Sequence, residues 1–183
     1  MTAETITQPE IGTWAIDPAH TVIGFTARHL MAAKVRGSFH EFSGEIRMGE
    51  TPEASAVDVS IDAASISTGV ADRDGHLRSP DFLNVEEHPA MAFRSTEVRR
   101  SGDDYVVEGE LTIRDITKPV SLDLQYHGVA TDPWGNAKAM FSAETKVDRE
   151  EWGLTWNAPL EAGGWLVGKT VTIELEIQAA KVA

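Results

Sequence analysis

From Thr13 onward apolar and polar residues alternate with a period of two, the mark of strands with one buried face. The last run is the clearest: Val171, Ile173, Leu175 and Ile177 alternate with Thr172, Glu174, Glu176 and Gln178. The same rhythm runs through Val107 to Ile113 and Val120 to Tyr126. Weaker copies lie at Trp14 to Ile16, Ile23 to Ala27, Phe42 to Met48, Val57 to Ile61, Met91 to Ser95 and Phe141 to Val147. Turn residues at Ser101-Gly102-Asp103, Thr117-Lys118-Pro119 and Asp132 to Asn136 separate neighbouring runs, which predicts an antiparallel meander. Eight or more strands with one apolar face each curl and close, because closure removes exposed edges. The predicted fold is therefore all-β, a closed antiparallel eight-stranded barrel with short helical caps, one domain over residues 13–180. Residues 1–12 are expected to be a disordered N-terminal segment.

Two stretches break the rhythm. Arg28 to Val35 is expected to form one or two helical turns, and Ala71 to Asn84, with Gly75 and Pro80, only a short broken helix. Both are expected to cap barrel ends. A barrel of eight strands is wide enough either to fill with side chains or to hold one slender ligand, and the pattern alone leaves both open.

Composition narrows the partners. At 183 residues the chain is sized for one domain. It has no run of about 18 uncharged apolar residues, and Met1 to Gly12 is polar, so neither signal peptide nor membrane anchor is expected. With no cysteine there is no disulfide framework, and the expected location is cytoplasmic. A formal charge of −13 without a clustered basic face sets nucleic acid aside.

Candidate chemistry is sparse. Asp72, Asp74 and His76 are spaced by two, but no second ligand pair completes a zinc or calcium pattern. A cap with aspartates on backbone amides and arginines on carboxylates is the expectation there, with no metal. The six histidines are scattered, no Gly-x-Ser-x-Gly turn presents a nucleophile, and Gly163-Gly164 lacks the strand-to-helix setting of a phosphate cradle. Trp152, Trp156 and Trp165 lie in a Gly- and Pro-containing stretch, where large rings serve equally to seal a barrel end or to gate an open one.

The order and spacing of several fragments resemble the YceI-like family of lipocalin-like, polyisoprenoid-binding barrels. They are Trp14 to Phe25, His29-Leu30, Val35 to Phe39, Arg73 to Phe82, His88 to Phe93, Gly109 to Ile113 with Thr117 to Val120, and Arg149 to Leu154. Asp115 stands where the family usually has Gly, and Thr21 where Ser is common. The resemblance implies a barrel enclosing a long isoprenoid chain or a quinone's tail, often in a homodimer.

The lining expected from the alternation is Ile23, Phe25, Val59, Ile61, Phe93, Leu111, Ile113, Leu122, Leu124, Phe141, Ile173 and Leu175. Trp165 joins these, and Arg28, His29 and Arg36, or the His76 loop, are expected to meet a polar head at the mouth. No catalytic residue and no cofactor beyond the bound lipid is expected. Two rivals differ in class: an enzyme acting on a lipid head group through Asp74 and His76, and a filled barrel serving as a stress-related interaction module. Lumen volume separates the second from a ligand binder.

Overall fold

A computed structural model describes residues 6–183. Residues 1–5, the start of the segment expected to be disordered, lie outside the described residues, and 6–11 form neither helix nor strand. The strands are β1 (Gly12–Ile16), β2 (Val22–His29), β3 (Ala33–Phe39), β4 (Phe42–Met48), β5 (Ala56–Asp62), β6 (Ile66–Ser67), β7 (Ala90–Ser101), β8 (Asp104–Ile113), β9 (Ile116–Thr131), β10 (Ala137–Asp148) and β11 (Val167–Lys181). One α-helix, α1 (Ala71–Arg78), lies between β6 and β7.

Eleven segments make eight barrel strands because three are interrupted. β1 and β2 lie end to end along one edge of β11, and β3 with β4 and β5 with β6 continue the same way. Each strand then pairs antiparallel with its sequence neighbour, and the β1–β11 pairing closes the ring. This is the expected closed eight-stranded antiparallel barrel, built from the nine runs of alternation together with β3 and β6.

The break between β1 and β2 shows how closure survives an interruption. The Asp17 amide donates to the Gln178 carbonyl at 2.8 Å. The Thr21 hydroxyl then donates to that carbonyl and accepts from the Gln178 amide, replacing a missing ladder pair with a side chain. A serine hydroxyl would do the same, so Thr21 changes nothing essential here.

Two expectations fail. Arg28 to Val35 is not helical: β2 runs to His29, turns at Leu30 and Met31, and returns as β3 paired from Ala33 to Phe39. The polar spacing of Arg28, His29, Lys34 and Arg36 imitates a helical turn, but the cross-strand ladder decides the conformation. Leu30 and Met31 both have positive φ, at 51° and 67°, as a tight hairpin requires. Thr117-Lys118-Pro119 is not a turn either but part of β9. The turn lies just before it, at Arg114 and Asp115. Pro119 is tolerated because β10 joins β9 only from Asp123 onward, leaving that stretch without a neighbour on its β10 side.

The Arg114–Asp115 turn has φ of 52° and 61°, the mirror-type hairpin geometry that favours glycine at its second position. Asp115 tolerates it as a short polar residue and meets His88 at 2.9 Å while itself highly exposed. An exposed pair of that kind contributes little. Replacing Asp115 by Gly is expected to stabilise the fold by about 0.5–1 kcal/mol. That should raise the melting temperature by roughly 1–4 °C for a domain of this size. A lower melting temperature in the variant would mean that the His88 contact outweighs the backbone term.

Candidate functional site

Every second side chain of each strand points into the barrel, and together they enclose a cavity of about 500 Å³. Small-molecule sites span roughly 300–1,000 Å³, whereas a barrel filled by its own side chains has no such space. All twelve apolar residues expected from the alternation line this one cavity: Ile23 and Phe25 from β2, Val59 and Ile61 from β5, Phe93 from β7, Leu111 and Ile113 from β8, Leu122 and Leu124 from β9, Phe141 from β10, and Ile173 and Leu175 from β11.

Glycines keep the lumen open. Phe25 pairs with Gly37 across β2 and β3, and a Cβ on Gly37 would lie 2.4 Å from the Phe25 ring. On the other side of the barrel a Cβ on Gly109 would lie 2.4 Å from the Phe93 ring. Each ring therefore packs against a stretch of wall that lacks a side chain. Glycine inside a strand is otherwise unfavourable, so the close approach is its physical reason.

One end of the cavity is a floor. Trp152, 1% exposed, donates its indole N–H to the Leu111 carbonyl at 2.9 Å, with Phe82, Leu83 and Leu154 buried beside it. Of the two roles open to the tryptophans, Trp152 has the sealing one. Arg149 is also buried here, and its guanidinium donates to the carbonyls of Gly168, Leu154 and Trp156. Burial lowers its pKa, opposed by Glu150 and Asp148. A guanidinium so engaged ties the 149–168 loop to β11.

Helix α1 and the turns after it close the same end, as expected of Ala71 to Asn84. Asp74 is buried and accepts from the Thr68 amide at 2.8 Å and hydroxyl at 2.6 Å. Burial raises its pKa, but those bonds, with Arg78 and Arg73 nearby, bring the net shift below the ordinary carboxylate value. The arginines do not meet carboxylates as expected: Arg73 donates to Thr68, and Arg78 to the carbonyls of Ala64 and Ile66. The β5–β6 backbone leaves those carbonyls outside the ladder, which makes them the stronger demand. His76 bonds Asp81 at 2.8 Å and stands edge-on to Trp156 and Phe82.

The opposite end is the mouth. Its lining residues Gln8, Glu50, Thr51 and Arg100 are exposed, in contrast to the buried floor. Residues 6–11 run across part of it, held where the Tyr126 hydroxyl donates to the Thr7 carbonyl and the Trp14 indole to the Glu10 carbonyl. Burial raises the Tyr126 pKa to about 12. Arg100 donates to the Tyr105 hydroxyl at 3.2 Å and lies 5.6 Å from the ring centre.

Four expected residues are not in the wall. Arg28, His29 and Trp165 are at the floor end, and Arg36, paired with Thr26, shares its outward face because Phe25 and Gly37 take the inward one. Trp165 is 52% exposed, so its ring neither gates nor lines the lumen. The mouth residues were missed instead. A bulge between Ser95 and Glu97 shifts the inward phase of β7 from Met91 and Phe93 to Val98 and Arg100. The slip is visible in the sequence as a five-residue step between Phe93 and Val98.

The family model of the YceI-like domain matches residues 14–179. A UPF0312 protein of Pectobacterium atrosepticum is 44% identical over 137 residues, 74% of this chain and 71% of that protein. The crystal structure of the Campylobacter jejuni YCEI protein is 26% identical with a TM-score of 0.73, covering 85% of this chain and 90% of that one. A polyisoprenoid binding domain from Saccharophagus degradans, at 13% identity, shares the fold with a TM-score of 0.70 over 94% of this chain and all of its own.

Gly109→Ala is expected to cost about 1–3 kcal/mol, because the new methyl overlaps the Phe93 ring. Phe93→Leu in the same chain should recover much of that loss. Denaturant unfolding of the two single variants and the double would measure the coupling. Additive losses would show that the ring does not depend on the missing side chain.

Proposed function

The chain belongs to the YceI-like family, and we propose that it binds one long isoprenoid chain, a polyprenyl or quinone tail, inside the barrel for storage or transport. The reading includes no catalysis on the lipid and no cofactor besides the lipid itself. One observation carries it: a continuous apolar cavity with a sealed floor at Trp152 and a polar mouth near Arg100. Such a space strips water from a tail, and each buried methylene contributes about 0.8 kcal/mol before ordering costs. From Tyr105 to Ile113 the inward face of β8 spans roughly 26 Å of strand. Affinity should rise with tail length until the tail reaches the floor.

Two further points support it. The Saccharophagus degradans domain of the same fold is described as polyisoprenoid binding. The residues an enzyme on lipid head groups would have used are otherwise engaged: Asp74 by Thr68, and His76 by Asp81, neither of them in the cavity wall.

If the cavity holds the tail, Leu124→Trp fills part of its path, and Asp123→Asn, on the outer face of the same strand, does not. Lipid recovered per folded protein should fall at least severalfold for the first and stay unchanged for the second. Melting temperature serves as the folding control, since overpacking costs roughly 1–3 kcal/mol. Leu124→Trp that folds and retains full-length lipid at wild-type stoichiometry would falsify internal binding.

His76→Ala is expected to lower the melting temperature by a few degrees through the lost Asp81, Trp156 and Phe82 contacts, and to leave lipid recovery intact. Loss of lipid from a folded His76→Ala protein would move the loop into the site.

A further inference from the structure

Among the described residues, the mouth carries one cation with no carboxylate partner, Arg100, amid several carboxylates. Among the described residues of this end, Arg47, Arg99, Lys138 and Lys181 are each paired, with Glu45 and Asp58, Glu108, Asp17, and Glu10 respectively. Arg100 alone has no carboxylate within bonding distance, and its guanidinium is already committed to the Tyr105 hydroxyl and ring. Around it lie Glu50 in the mouth itself, Glu53 on the short turn Pro52–Ala54 packed against β7, and Asp103 and Asp104 on the β7–β8 hairpin. Glu53 and Asp103 are close enough to raise the Arg100 pKa, after the larger effect of Tyr105. The rim is thus net negative on a chain of formal charge −13.

We propose that this rim selects isoprenoids with a neutral head, an alcohol, phenol or quinone, and excludes phosphorylated ones. The inference rests on the lumen reading above and adds the head-group class. A phosphate at the mouth would gain one guanidinium and face four carboxylates. A neutral head meets no such opposition and still finds donors and acceptors in Arg100, Thr51 and Tyr105. Repulsion at the exposed rim acts through water, so salt should weaken it, whereas burial of the tail is indifferent to modest salt.

The test uses two probes with one tail, geranylgeraniol and geranylgeranyl monophosphate, each titrated into the full-length protein below its micellar concentration. The alcohol should bind at least about tenfold tighter at low ionic strength, with the gap shrinking at roughly 0.5 M salt. Glu53→Gln, Asp103→Asn and Asp104→Asn combined remove rim charge without touching a cavity-lining residue. This variant should bind the phosphate about fivefold or more tighter than wild type, with alcohol affinity unchanged. Equal affinity of the two probes for wild type, or a ratio unmoved by the triple variant, would overturn the rim inference and leave the lumen reading standing. Binding of neither probe to folded wild-type protein would overturn the lumen reading, and this inference with it.

Discussion

Closure of the backbone ladder between β11 and the first strand is the constraint on which everything else depends. β11 is paired along both edges, to β10 on one side and to β2 and β1 in succession on the other. Without the pairing of β1 and β2 to β11 the sheet would be open, with unpaired edges and no enclosed space. The junction is reinforced where it is weakest, since the Thr21 hydroxyl takes over the exchange with Gln178 at the gap between β1 and β2.

A closed eight-stranded ring does not by itself hold a cavity, because side chains of ordinary size fill it. The lumen stays open here through an uneven allocation of volume. Gly37 and Gly109 remove side chains where Phe25 and Phe93 lie. The bulk taken from the walls is concentrated at the floor, where Trp152, Phe82, Leu83 and Leu154 pack. The charged groups there are satisfied within the protein, Arg149 by three carbonyls and Asp74 by Thr68, so the floor makes no polar demand on a tail.

The two ends therefore differ in kind. The floor is buried and built from the α1 region and the 149–168 loop, while the mouth is exposed, hydrogen-bonded and acidic. In the proposed function, the tail of an amphiphile would point toward Trp152 and its head toward Arg100. The strap of residues 6–11, fixed by Tyr126 and Trp14, narrows that mouth from one side.

Periodicity alone determined the all-β class and the twelve lining residues, because burial of one face forces a period of two within each long strand; it marked nine runs, and only the pairing joined them with β3 and β6 into eight barrel strands. Asp132 to Asn136 was legible as a turn for a similarly local reason: the Asp132 side chain bonds the amides of Trp134 and Asn136. What the sequence could not carry depended on neighbours distant along the chain. Arg28 to Val35 is a hairpin because β2 pairs with β3 along it and with β11 on the other edge, not because of its own residues. Trp165 faces solvent although it lies in the same Gly- and Pro-containing stretch as the buried Trp152. Which end of the barrel is open was likewise settled only in three dimensions, since a strand's alternation says which side is inside but not what lies over its ends.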